Sequence, residues 1–195
     1  MKSGGAKWGA CRPGRTCNAA PMEKMTRRGA VLAMAAGVGT TVFVPSLAAE
    51  EKKLWAKSFL GKKGPALVVE KWLGPEPKRE GRWMLIDFWA TWCGPCKKAI
   101  PELNAFHKRF GDRLVVVGIS DEAEEVVRKM KTPTIEYFQA IDPAKRTSKE
   151  YGVSGIPHVV VLDPDGIVRW EGYPLLEGHE LSAKVIEGLL PAKKE

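Results

Sequence analysis

Cysteine is scarce in this chain, with four among 195 residues: Cys11, Cys17, Cys93 and Cys96. Only the last two lie in the part after residue 48, and one close pair is too few for a disulfide-stabilised scaffold. A single Cys-x-x-C supplies two zinc ligands where a structural site needs four. Cys11 and Cys17 lack further ligands, and the chain has only three histidines. We therefore predict no metal site.

Clustered basic charge is also missing from most of the chain. The formal net charge is +8, but residues 1–48 carry seven basic side chains and one acidic side chain, so residues 49–195 are close to neutral. Nucleic-acid binding requires a basic patch on the folded domain, and we predict no nucleic-acid partner. No glycine-rich flavin or nicotinamide motif is present, so no bound cofactor is expected either.

No hydrophobic run is long enough for a confident membrane span. Arg27 and Arg28 precede an apolar stretch, about residues 30–44, that is short and rich in Gly and Ala. Small residues follow, and cleavage after Ala48 or Ala49 fits this pattern. A basic segment, an apolar segment and a small-residue site are typical of an export signal. The arginine pair suits the twin-arginine (Tat) route or the general (Sec) route.

These features divide the chain into two parts. Residues 1–48 are a leader with the export signal, and residues 49–195 form a redox domain. Met1 or Met25 could be the true start, and a leader that is retained would anchor the protein to a membrane. We expect a periplasmic or other extracytoplasmic location.

The hydrophobic pattern of the domain predicts alternating strands and helices. Continuous apolar runs predict buried strands, a turn sequence at 163–166 predicts a hairpin, and amphipathic spacing predicts helices. Pro101 should kink the first helix, and Gly111 should end it. The predicted strands are 66–72, 83–89, 114–119, 135–138, 158–162 and 167–173; the predicted helices are 93–110, 122–130, 144–151 and 179–190. This order indicates an α/β fold with a mixed central β-sheet flanked by helices.

The pair Cys93 and Cys96 stands where a strand leads into a helix. A thiolate attacks a disulfide far better than a thiol, and the start of a helix favours negative charge. We therefore expect Cys93 to be exposed and nucleophilic, with Cys96 shielded one turn deeper as the resolving thiol. Gly94 gives the backbone freedom beside the substrate, and Pro95 sets the first helical turn.

Asp87 is a carboxylate within the apolar strand 83–89. Burial should raise its pKa, and a raised carboxylate beneath the cysteines could take the proton from Cys96 and later return it. A purely structural role as a cap or ion pair is the alternative. Pro157 precedes another apolar run and suits the start of a strand, where no backbone donor is needed.

Residues 87–96, with the sequence DFWATWCGPC, and the sequence Gly155-Ile156-Pro157 resemble the active-site signature and cis-proline loop of the thioredoxin superfamily. The export signal and the long segment between Cys96 and Pro157 resemble the exported TlpA/ResA branch. The resemblance implies a thioredoxin fold with an extra helix and strand around 122–142. It also implies a cis bond before Pro157.

The resemblance assigns roles to the residues of these motifs. It implies that Cys93 attacks, that Cys96 resolves and that Asp87 is the buried acid. We expect substrate to contact Trp92, Gly94, Pro95, Ile156 and Pro157. Two departures from the family pattern are His158, where threonine is usual, and the lack of a lysine in residues 114–119.

The same resemblance predicts the partners. Relatives of this branch reduce disulfides outside the cytoplasm, often those of apocytochromes c. We expect a monomer that acts on disulfide-containing proteins and takes electrons from an external, membrane-bound thiol donor. Two alternatives stay open from the residues alone: a disulfide oxidase or isomerase that uses the same pair in reverse, and a metallochaperone that holds copper between the two thiolates.

Overall fold

The computed structural model of the protein describes residues 54–191. The predicted leader with its apolar stretch, its cleavage site and its two cysteines lies outside the described residues. Within 54–191, no helix combines the length and apolar character needed to cross a membrane.

The described residues form strands and helices that largely alternate along the chain. They are β1 (Lys71–Trp72), β2 (Trp83–Trp89), α1 (Gly94–Phe110), β3 (Leu114–Ser120), α2 (Glu124–Lys129), β4 (Phe138–Ile141), α3 (Arg146–Tyr151), β5 (His158–Leu162), β6 (Val168–Gly172) and α4 (Ala183–Leu189).

The strands build one mixed six-stranded sheet in the order β1-β4-β3-β2-β5-β6. β2 pairs in parallel with β3 and antiparallel with β5, so the strand that leads to the cysteines is central. β3 and β4 are parallel, while β5 and β6 form the predicted antiparallel hairpin. In its turn, Gly166 has φ +79°, a left-handed conformation that glycine adopts at little cost. This is the predicted thioredoxin-like α/β fold.

Both faces of the sheet are covered. Alternate residues of β2 point to opposite faces, so Leu85 packs with α1 and α4, while Ile86 packs with Tyr151 of α3 and with Phe59 of the N-terminal segment. Burial on both faces explains why β2, β3 and β5 appear in the sequence as continuous apolar runs.

Two predicted strands are wrong in their bounds. Only residues 71–72 of the predicted strand 66–72 pair with the sheet, because the backbone N–H and C=O of Val68 bond to the Thr147 hydroxyl instead. The predicted strand 135–138 is displaced to Phe138–Ile141. The side chain of Asn104 binds the Thr134 carbonyl and the Glu136 N–H, both at 2.9 Å, which keeps this segment in a loop.

The four predicted helices begin later than expected. α4 starts after Ser182, whose hydroxyl accepts from the Val185 N–H at 3.4 Å, whereas His179 stacks on Trp170 before the helix. α2 starts at Glu124, and α3 starts at Arg146. α1 begins at Gly94, one residue later than predicted, continues through Pro101 and ends before Gly111, as predicted.

Candidate active site

The cysteine pair lies at the N-terminal end of α1. Cys93 is the residue that caps the helix, and its Sγ accepts a hydrogen bond from the Cys96 N–H at 3.1 Å. Pro95 lies in the first turn, where its missing N–H leaves no bond unmade. The first turn of α1 itself holds no acidic residue that would offset the positive end of the helix dipole. The two sulfurs are joined in a disulfide.

Exposure of Cys93 was expected, and this expectation is wrong for the disulfide-bonded form. Cys93 is 3% exposed and Cys96 is 1% exposed. Both belong to a buried cluster with Trp89 and Ala90, and the half-buried Ile156 packs against it. The neighbours Gly94 and Pro95 are exposed, so the helix start itself reaches the surface.

Glu122 fixes the loop that carries Trp92 and Cys93, a contact that the sequence did not reveal. Its carboxylate accepts from the Thr91 N–H at 2.6 Å and from the Thr91 hydroxyl at 2.7 Å. The Ser120 hydroxyl at the end of β3 also donates to it, at 3.1 Å. These bonds join the active-site loop to the end of the neighbouring parallel strand.

Asp87 is almost completely buried, as the sequence predicted, with 1% of its surface exposed. Burial is the largest influence on this carboxyl and raises its pKa from the usual 3.8 to about 7, although a hydrogen bond from Tyr137 opposes the rise. The Tyr137 hydroxyl donates to Oδ2 at 3.1 Å. Oδ1 has no hydrogen-bond partner among residues 54–191.

Asp87 lies on the face of β2 that α1 covers. Asp87 and Trp89 are two apart on β2 and point to the same face, which α1 covers. Trp89 packs in the cluster that holds both sulfurs. The carboxyl therefore lies on the side of the sheet that also holds the reactive end of α1.

The Ile156–Pro157 peptide bond is cis, as the family resemblance predicted. Pro157 is buried, and Ile156 contacts the cysteine cluster. The loop before it is tied to the N-terminal segment, because the N–H and hydroxyl of Ser154 donate to the Trp55 carbonyl at 2.7 and 3.0 Å. A second cis bond, Thr132–Pro133, was not expected.

His158 follows Pro157 and is buried with 2% exposure. It stacks against Phe88, and burial lowers its pKa to about 4 despite the opposing charge of Glu171. Its Nε2 has no partner among the described residues. At neutral pH the ring therefore adds no positive charge beside the loop.

A groove of about 410 Å³ opens beside the site. Trp92, 72% exposed, and Ile156 are part of its lining, and Phe88 and Val153 add apolar surface. The lining also includes the charged side chain of Lys145, whose Nζ lies 2.6 Å from Asp121 Oδ2. Of the predicted substrate contacts, the structure brings Trp92 and Ile156 to this groove, whereas Gly94 and Pro95 lie on the adjoining helix start.

Within residues 54–191, no three His, Cys, Asp or Glu side chains converge as metal ligands would.

Comparisons with known proteins agree with this chemistry. The AhpC/TSA family profile matches residues 76–171. The thiol-disulfide oxidoreductase ResA of Bacillus cereus is 29% identical over 147 residues, which cover 72% of this chain and 82% of ResA. The thiol:disulfide interchange protein HelX of Rhodobacter capsulatus is 29% identical over 173 residues, which cover 82% of this chain and 92% of HelX.

A solved structure shows the same fold. A thiol:disulfide interchange protein from Bacteroides sp. is 25% identical, with a TM-score of 0.58, over 69% of this chain and 93% of that protein. The fold, the helix-capping cysteine pair and these relatives agree. Over residues 76–171 the chain resembles the AhpC/TSA family, and it is a thioredoxin-like thiol–disulfide oxidoreductase similar to ResA and HelX.

Proposed function

We propose that the protein reduces disulfides of other proteins outside the cytoplasm, with Cys93 as the attacking sulfur and Cys96 as the resolving sulfur. The observation that carries this proposal is the position of Cys93 as the cap of α1. Its sulfur already accepts the N–H of Cys96 at 3.1 Å. A donor in this position stabilises a thiolate more than a thiol, because the sulfur gains a full negative charge.

The reaction follows from the two positions. The Cys93 thiolate attacks one sulfur of the substrate disulfide, forms a mixed disulfide and releases the other substrate sulfur as a thiolate. Cys96 then loses its proton to Asp87 and attacks the Cys93 sulfur. The second substrate sulfur leaves as a thiolate that water protonates. The substrate gains two electrons, and the enzyme pair becomes the disulfide.

Substrate enters the site through the groove beside Trp92 and Ile156. An exposed indole next to an apolar groove is typical of recognition surfaces, where aromatic rings contribute much of the binding free energy. Because the groove is open and largely apolar around these residues, it suits an extended segment of a substrate protein. Pro157 is buried in the loop that carries Ile156, and Ile156 packs against the cluster that holds both sulfurs.

The location and the electron source are part of the same proposal. The arginine pair and apolar stretch of the leader support export, and relatives named as thiol:disulfide interchange proteins support protein substrates. Apocytochromes c are one substrate class to test. Reducing equivalents come from a thiol donor in the membrane, because the sequence has no nicotinamide or flavin motif.

The reduction potential tests the direction of exchange. Domain 49–195 is equilibrated with glutathione buffers, and the Cys93–Cys96 disulfide is quantified by alkylation and mass spectrometry. A potential near that of thioredoxin, about −270 mV, with reduction of insulin disulfides, supports the proposal. A value near −120 mV, typical of strong oxidants, would contradict it. Stoichiometric copper retention without insulin reduction would indicate a metallochaperone instead.

A further inference from the structure

Tyr137 comes from the loop between α2 and β4, within the inserted segment 122–142. Its ring is 3% exposed and packs in the core between the sheet and α1. Its hydroxyl donates to Asp87 Oδ2 at 3.1 Å, and Asp87 is the one hydrogen-bond partner it has within residues 54–191. Burying a hydroxyl group costs free energy unless the group forms a hydrogen bond. The bond to Asp87 therefore offsets the cost of burying the Tyr137 hydroxyl.

Gly118 of β3 makes the contact possible. It is the pairing partner of Asp87 on the parallel neighbouring strand. A Cβ atom at Gly118 would lie 2.9 Å from Tyr137 Cε2 and 3.0 Å from Trp89 Nε1. Residues 114–119 also hold no lysine. The space beside Asp87 on β3 is therefore filled by the Tyr137 ring, which reaches it from the insertion.

The two oxygens of Asp87 differ in their surroundings. Oδ2 is held by the Tyr137 hydroxyl, whereas Oδ1 is buried and has no hydrogen-bond partner among the described residues. A carboxyl with one oxygen fixed and the other free can bind a proton at the free oxygen without breaking an existing bond. This asymmetry indicates which atom exchanges the proton.

We propose that Tyr137 is a positioning residue: its hydroxyl holds Oδ2 of Asp87, directs Oδ1 to proton exchange with Cys96 and sets the pH at which this exchange occurs. The inference rests on the proposed function, because it needs the Cys96 thiol to resolve a mixed disulfide. In that step the Cys96 proton moves to Oδ1, the Cys96 sulfur bonds to Cys93, and the substrate sulfur leaves. When an external thiol donor reduces the Cys93–Cys96 disulfide, the proton returns from Oδ1 of Asp87 to the Cys96 sulfur.

Few other groups can influence this carboxyl. The pairing partners of Asp87 on β3 and β5 are Gly118 and Val159, which carry no charge. α1 faces it with apolar residues such as Ile100 and Leu103. The charged residues in the first turns of α1, Lys97, Lys98 and Glu102, are not among the groups that shift the pKa of Asp87. Tyr137 is the side chain that opposes the effect of burial on the pKa of Asp87.

Tyr137→Phe tests the proposal, because it removes the hydroxyl and keeps the ring. The titration of Asp87 is followed by the ¹³C shift of its carboxyl in the reduced protein. Loss of one hydrogen bond to the ionised form should raise the midpoint by about one pH unit. Asp87→Asn identifies the signal.

Kinetics with a chromogenic aromatic disulfide report the chemistry. The first thiolate released reports attack by Cys93, and the second reports resolution by Cys96. In Tyr137→Phe the pH midpoint of the second phase should rise with that of the carboxyl. Below this midpoint the second phase should slow by up to about tenfold, since fewer molecules hold an ionised Asp87. The first phase should keep its wild-type rate.

Tyr151→Phe is the matched control. It removes another buried hydroxyl, which donates to the Pro65 carbonyl at 3.1 Å on the opposite face of the sheet. In Tyr151→Phe, the pH midpoints of the Asp87 carboxyl titration and of the second kinetic phase should match those of the wild type. An unchanged carboxyl midpoint in Tyr137→Phe overturns the proposal, and so does a shifted carboxyl midpoint that the second phase does not follow. Failure of the proposed function is distinct: the wild type would then reduce no disulfide at any pH.

Discussion

Replacing Asp87 with asparagine should stabilise the protein at neutral and alkaline pH. The carboxyl is 1% exposed, and its pKa rises from 3.8 to about 7 on folding. Between these pH values the native state keeps a proton that the unfolded chain has lost, so stability falls as pH rises through this window. About three pKa units at about 1.4 kcal/mol each give a penalty of about 4 kcal/mol above pH 7.

Asparagine cannot ionise, so the variant avoids this penalty. Its carbonyl can still accept from Tyr137, and the cost of burying its amide does not change with pH. We expect the free energy of unfolding of Asp87→Asn, relative to the wild type, to rise by about 4 kcal/mol between pH 4 and pH 7 and then to level off.

Denaturant unfolding of the disulfide-bonded proteins, followed by tryptophan fluorescence, measures this difference at each pH. The lowered pKa of His158 makes stability fall as pH drops from 6.5 toward about 4, because the unfolded ring takes up a proton that the native ring does not. This contribution is common to both proteins and cancels. If the difference in free energy of unfolding between the two proteins stayed constant from pH 4 to pH 8, burial of the ionised Asp87 carboxylate would not destabilise the native state, contrary to this prediction.

Three further substitutions test separate parts of the structure. Trp92→Ala should raise KM for a protein disulfide and change the free energy of unfolding by less than about 0.5 kcal/mol, since the indole is 72% exposed; an unchanged KM would exclude it from substrate binding. Ser58→Ala removes the hydroxyl that donates to the buried Glu171 and should cost about 1–3 kcal/mol in denaturant unfolding. A Cβ at Gly188 in α4 would meet no atom within 4 Å, so Gly188→Ala should raise the free energy of unfolding by about 0.5–1 kcal/mol. A destabilised variant would contradict the placement of Gly188 in an exposed part of the helix.

The central strands and the cysteine pair could be predicted because their signals are local. A strand buried on both faces must be apolar throughout, so β2 and β5 were visible as continuous runs. Asp87 interrupts such a run, and its burial followed from that position alone. The order of Cys93, Gly94, Pro95 and Cys96 likewise indicated a helix start.

The groups that support the site depend on contacts far apart in sequence. Glu122 binds Thr91 across 31 positions, and Tyr137 binds Asp87 across 50 positions. Neither contact has a periodic signal, because each side chain lies in or beside a loop whose path depends on packing. The missing lysine in residues 114–119 marked a departure from the family pattern near Asp87, but it did not indicate that Tyr137 occupies this place.

The most direct measurement asks which sulfur attacks substrate. Reduced Cys96→Ser and Cys93→Ser are each mixed with a disulfide-containing protein, and covalent adducts are separated without reductant and mapped by mass spectrometry. The account predicts a stable mixed disulfide through Cys93 in Cys96→Ser and none in Cys93→Ser. Equal capture by both variants, or capture through Cys96 alone, would contradict it.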